Sequence, residues 1–93
     1  MAFRKKAKFI LPLKPDILVV PECEHPDKLI FPDGTQIPTN IIWNGDNKNK
    51  GLGVLSYNNY KLKLLKIHNP LFKNILPIQV TRDNCKFVLF AIW

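Results

Sequence analysis

Ninety-three residues, with fourteen Lys and Arg against seven Asp and Glu, describe one small domain with a formal charge of +7 and a pI near 9.7. A hydrophobic share of 46%, with 11% aromatic and 23% charged residues, excludes disorder throughout, because disordered chains lack the apolar surface that offsets chain entropy. The longest unbroken apolar run, Phe87 to Trp93, is seven residues, well short of the roughly 18 to 20 that a bilayer-spanning helix needs. No apolar segment with a cleavage site follows Arg4, Lys5 and Lys6, so the expectation is a soluble, cytoplasmic protein without a membrane partner. The positive charge favours polyanions, with nucleic acid or another phosphodiester substrate first among them, although twelve of the basic residues are Lys rather than the fork-shaped Arg. Cys23 and Cys85 have no CxxC partner and read as two buried, reduced thiols.

In chain order, Phe3, Ala7, Ile10 and Leu11 recur at helical spacing with Arg4, Lys5, Lys6 and Lys8 on the other faces. This predicts an amphipathic helix ended by Pro12 and Pro15. Ile17-Leu18-Val19-Val20 predicts a central strand buried on both faces, stopped by Pro21, with Glu22, Cys23, Glu24 and His25 delivered at its C-terminal end. Residues 26–40, holding Pro26, Pro32, Pro38 and Asp33-Gly34, read as a loop with at best one tight turn or short hairpin. Ile41 to Trp43 is a short strand, Asn44 to Gly53 a surface turn and Gly53 to Ser56 a strand. Tyr60 to Ile67 alternates Lys and Leu until Leu64-Leu65, predicting a strand with one solvated face and a bulge. Ile75 to Val80 and Lys86 to Trp93 flank the hairpin residues Thr81 to Cys85. The predicted class is α+β, with one N-terminal helix packed on a mixed, mostly antiparallel sheet of about six strands. Such a sheet leaves one face uncovered, which predicts self-association through exposed strands.

The segment Pro15-Asp16-Ile17-Leu18-Val19-Val20-Pro21-Glu22 places a carboxylate just past an apolar strand, where it can be aimed rigidly and offer hard oxygens to Mg²⁺. On residue chemistry alone, a carboxylate there more commonly caps a turn or meets a Lys. Trp43 then precedes a polar turn, Gly51-Leu52-Gly53-Val54-Leu55-Ser56 follows, and a hairpin ends in Phe87-Val88-Leu89-Phe90-Ala91-Ile92-Trp93. In order and spacing, across nearly the whole chain, these pieces resemble the early part of the endonuclease, exonuclease and phosphatase family, the DNase-I-like metal-dependent phosphoesterases. The resemblance implies the first half of a DNase-I-like α/β sandwich, phosphodiester hydrolysis with a divalent cofactor such as Mg²⁺, and Glu22 as a ligand of that metal. Three features depart from the pattern. Pro21 stands where the family has Gln, an opening W-N strand would precede Met1, and the G-D-x-N and S-D-H segments have no counterpart. Gly45-Asp46-Asn47 lies too early to be the first of these and reads as a turn. The expectation is therefore a single partial domain over residues 1–93, truncated at both ends and inactive alone, whose catalytic residues beyond the metal ligand are not identifiable.

Other arrangements carry less. Cys23, Glu24 and His25 are consecutive and cannot all converge on one ion, and His68 has no identifiable partner for general-base work. Gly51-x-Gly53 lacks the Lys-Ser/Thr of a P-loop and precedes a strand. Trp43, Tyr57 and Tyr60 read as strand-packing aromatics. The competing functional class is a non-enzymatic basic β-module that binds nucleic acid through Lys48, Lys50, Lys61 and Lys63.

Overall fold

A computed structural model describes residues 9–29, 31, 36–47, 50–66 and 74–93. Among them lie six strands: β1 (Ile17–Cys23), β2 (Asn40–Asn47), β3 (Lys50–Ser56), β4 (Lys61–Leu64), β5 (Ile75–Arg82) and β6 (Cys85–Ile92). Every pairing is antiparallel, and the strands form two three-stranded sheets in the orders β1-β3-β2 and β4-β5-β6. The described chain is thus all-β, which corrects the α+β expectation of one helix on a single six-stranded sheet. Residues 3–8 of the predicted helix lie outside the described residues. Phe9 and Ile10 are helical and run at once into a 3-10 turn, Leu11–Leu13. Pro12 offers no N–H there and Lys14 takes a left-handed φ of 55°, so the helix cannot continue.

The interior strand is β3, not β1 as the sequence suggests. Leu52, Val54, Leu55 and Ser56 of β3 have no exposed surface, whereas Ile17, Leu18 and Val19 are half-buried at the edge of the sheet. An edge position also explains how Pro21 is tolerated: a residue without an N–H is accommodated at an edge or a bulge, and here it has both. Val20 faces Gly53 and Cys23 faces Gly51, so β1 holds one extra residue at Pro21-Glu22 and continues through it to Cys23 instead of stopping at Pro21. The supposed surface turn Asn44 to Gly53 is mostly strand, since β2 runs to Asn47 and β3 starts at Lys50, with a second irregularity between Asn44 and Asn47. Residues 48–49 lie outside the described set.

Alternation along the first sheet divides its side chains between two clusters, as the pleat requires. Leu18, Val20, Cys23, Ile41, Trp43 and Leu55 face Leu11, Leu29, Phe31 and Tyr57. Ile17, Val19, Ile42, Leu52 and Val54 pack on the second sheet, against Leu62, Leu76, Ile78, Val80, Leu89 and Ala91. The chain crosses from β3 to β4 through Asn58 and Asn59, both left-handed at φ 57° and 68°, and Tyr60 N–H closes the turn on Tyr57 O at 3.1 Å. Ser56 braces this corner, its Oγ accepting from Asn40 N at 3.2 Å and donating to Tyr60 O at 2.6 Å. Asn40 Oδ1 in turn accepts from Leu62 N at 3.0 Å, tying β2 to β4. The predicted bulge at Leu64-Leu65 is instead the end of β4. The hairpin expected at 81–85 is present, with Arg82 opposite Cys85 and Asp83 supplying a left-handed φ of 50° in its two-residue loop. No helix among the described residues is long and apolar enough to cross a membrane.

Candidate functional site

The pairing of β1 with β3 brings together the two stretches singled out in the sequence. Ile17 lies opposite Ser56 and Cys23 opposite Gly51, so Ile17 to Cys23 and Gly51 to Ser56 run side by side, and Tyr57 N–H bonds to Asp16 O just beyond them. Glu22 occupies the bulge with a φ of 56°, a conformation that costs a non-glycine residue about 1–2 kcal/mol and persists only where the surroundings impose it. The bulge turns Glu22 to solvent and Cys23 into the core. One strand residue, Cys23, follows Glu22, so the carboxylate sits within β1 and not beyond its end. The hollow described below lies at the far end of β3.

Three contacts fix the backbone that follows Glu22. Trp43 on β2 donates Nε1–H to Cys23 O at 2.8 Å, and its ring meets His25 edge-on with centroids 4.8 Å apart. His25 Nδ1 accepts from Asp27 N at 3.1 Å, capping the short turn Pro26–Lys28. Gly51 and Gly53 permit this crossing. A Cβ on Gly51 would stand 2.6 Å from the Trp43 ring, and one on Gly53 would stand 2.8 Å from Cys23 Sγ. The Gly-x-Gly pair is thus a packing device, in line with its failure to match a P-loop.

Behind Glu22, burial and the neighbouring Glu24 carboxyl push the Cys23 thiol up to about 12, and burial followed by proximity to Cys23 pushes the Tyr57 hydroxyl up to about 12. A thiol held protonated is neither a metal ligand nor a nucleophile. Mg²⁺ retains its waters unless several anionic oxygens share it. The described residues do not fit such a site complete in itself: among them no three His, Cys, Asp or Glu gather, and Glu24 is buried, at 6% exposure. Glu22 is one accessible carboxylate on a fixed backbone.

The basic residues named from sequence are not brought together as a group. Lys48 lies outside the described residues, and Lys50 opens β3. Lys61 and Lys63 are exposed on β4, opposite Thr81 and Gln79, and Thr81 is in turn opposite Lys86. The residue that sequence reasoning missed is Arg82, read only as part of a hairpin connection. Its guanidinium lies 4.2 Å from the Tyr60 ring centroid and donates from Nη1 to Asn58 O at 3.3 Å. Beside it a hollow of about 540 Å³ is lined by Thr39, Asn59, Lys61, Thr81, Arg82 and Asp83. Nothing in the spacing of these six residues announces a site, because two strands, two turns and the bend before β2 contribute them. Trp43 and Tyr57 pack in the core as expected of strand aromatics, and His68 is outside the described residues.

No family model, no curated protein and no solved structure matches the chain.

Proposed function

We propose that this chain carries the glutamate-bearing, N-terminal portion of a divalent-metal-dependent phosphodiesterase, with Glu22 as one ligand of the metal, and that it does not hydrolyse a phosphodiester by itself. The observation that carries this reading is the register of β1 on β3: the two stretches that together resemble the phosphoesterase pattern lie on neighbouring strands, paired from Ile17 opposite Ser56 to Val20 opposite Gly53, with Glu22 in the bulge before Cys23 opposite Gly51. The bulge and the Trp43 contact hold Glu22 outward at the edge of that pair. One carboxylate is a small part of the donor set such an ion needs, so its other ligands and the groups that activate water come from outside the described residues. A net charge of +7 suits a polyanionic phosphodiester, nucleic acid in particular.

Terbium luminescence tests the assignment, because a lanthanide accepts energy from a nearby indole and Trp43 contacts the residue next to Glu22. Excitation of tryptophan should yield Tb³⁺ emission at millimolar ion, lost in Glu22→Gln and in Trp43→Phe, and competed away by Mg²⁺. Emission unchanged by Glu22→Gln overturns the assignment.

A further inference from the structure

We propose that the hollow lined by Thr39, Asn59, Lys61, Thr81, Arg82 and Asp83 binds a phosphate group, either free or in the backbone of a polynucleotide strand. It does not depend on the Glu22 reading. Glu22 flanks the Gly51 end of β3, while Thr39 is tied by its N–H to Ser56 O at 2.7 Å at the other end, about 17 Å away at strand rise.

The chemistry of the lining is that of an oxyanion receptor. Lys61 and Arg82 have no carboxylate within salt-bridge distance among the described residues, so both charges are available. Arg82 is also preorganised. Stacking on Tyr60 and the bond to Asn58 O fix the guanidinium plane and engage one of its five N–H donors, leaving the fork that suits phosphate geometry. Thr39 Oγ1 accepts from Asn59 N at 3.2 Å, which leaves its hydroxyl hydrogen to donate, and Thr81 adds a second hydroxyl. Asp83 is the one acid on the lining and opposes an anion, so it sets an affinity below the maximum the site could reach. The cross-strand row Lys61, Thr81, Lys86, with Lys63 beside it, continues the positive surface out of the hollow across the second sheet. A strand of nucleic acid seated by one phosphate would meet its next charges there.

The test is a titration of the ¹⁵N-labelled chain with inorganic pyrophosphate and, separately, with a short single-stranded oligonucleotide. Shift changes should centre on the amides of Lys61, Thr81 and Arg82. Lys61→Gln should weaken binding roughly fivefold or more, as loss of one charge-assisted hydrogen bond requires. Lys66→Gln, the same charge change beyond the other end of β4, should leave it nearly unchanged. Asp83→Asn should tighten binding, and it suits the fold because Asn adopts the left-handed φ as readily as Asp. Tighter binding of the oligonucleotide, with a further loss in Lys86→Gln, identifies the polynucleotide backbone as the source of the phosphate. Pyrophosphate binding with no gain from the oligonucleotide identifies free phosphate. Equal effects of Lys61→Gln and Lys66→Gln, or no binding of either probe, overturn the proposal, and neither result touches Glu22.

Discussion

The indole of Trp43 on β2 reaches across β3 to donate to the backbone of Cys23 on β1, at 2.8 Å, passing over Gly51 as it does so. One side chain thereby clamps all three strands of the sheet next to the bulge that holds Glu22. Two substitutions should expose the clamp. Gly51→Ala puts a methyl 2.6 Å from the ring and 2.7 Å from Asn44 O, and should destabilise by about 1–3 kcal/mol as overpacking does. Trp43→Phe removes the donor and should cost about 1–3 kcal/mol for the carbonyl left behind. Urea denaturation of the two variants checks both values, and the double variant should lose less than their sum because the ring that clashes is gone.

The two cysteines should differ sharply in reactivity. Cys85 is exposed in the hairpin, against the expectation of two buried thiols, because its position opposite Arg82 closes the two-residue turn, whereas Cys23 is fully buried with its thiol pushed up to about 12. At pH 8 a disulfide reagent such as Ellman's should titrate one thiol per native chain quickly and a second only on unfolding, and Cys85→Ser should abolish the fast phase.

Alkali should destabilise the fold. Cys23 and Tyr57 are both held neutral, so above their ordinary values of 9.0 and 10.0 the unfolded chain releases protons that the folded chain keeps. Stability from this source is fully present below pH 9 and is lost as pH rises toward about 12. The Tyr57 hydroxyl has no hydrogen-bond partner among the described residues, so Tyr57→Phe should change stability little at neutral pH and shrink the alkaline loss. Thermal melts of both proteins across that range test the sign.

The outer side of β6 should drive self-association. Trp93 N–H bonds back to Asn74 O at 2.9 Å, which sets the alternation so that Lys86, Val88, Phe90 and Ile92 direct their backbone groups away from β5. Val88, Phe90 and Ile92 are 50%, 55% and 66% exposed, a free strand edge with an apolar row and one Lys to discourage pairing. Sedimentation should show concentration-dependent association that Phe90→Lys suppresses.

The β5/β6 hairpin was legible because Asp83-Asn84 supplies the turn chemistry between two apolar runs. The position of β1 was not. Its run Ile17 to Val20 does face two clusters, one on each side of the sheet, as an unalternating pattern implies. Coverage of both faces says nothing about lateral neighbours, and Pro21 was the clue to an edge. The strand content of residues 44–53 was hidden by turn-forming Asn, Asp and Gly, which sit in a bulged hairpin. Glu22 was found through the company its motif keeps, whereas the hollow around Arg82 is assembled from scattered residues that only the folded register joins.

The most direct measurement of the central claim is paramagnetic broadening of the ¹⁵N-labelled chain by Mn²⁺, read amide by amide. Broadening should centre on Glu22, Cys23 and Gly51, be reversed by excess Mg²⁺ and be absent in Glu22→Gln. Broadening centred elsewhere, or unchanged in Glu22→Gln, would contradict Glu22 as a metal ligand and with it the phosphodiesterase reading.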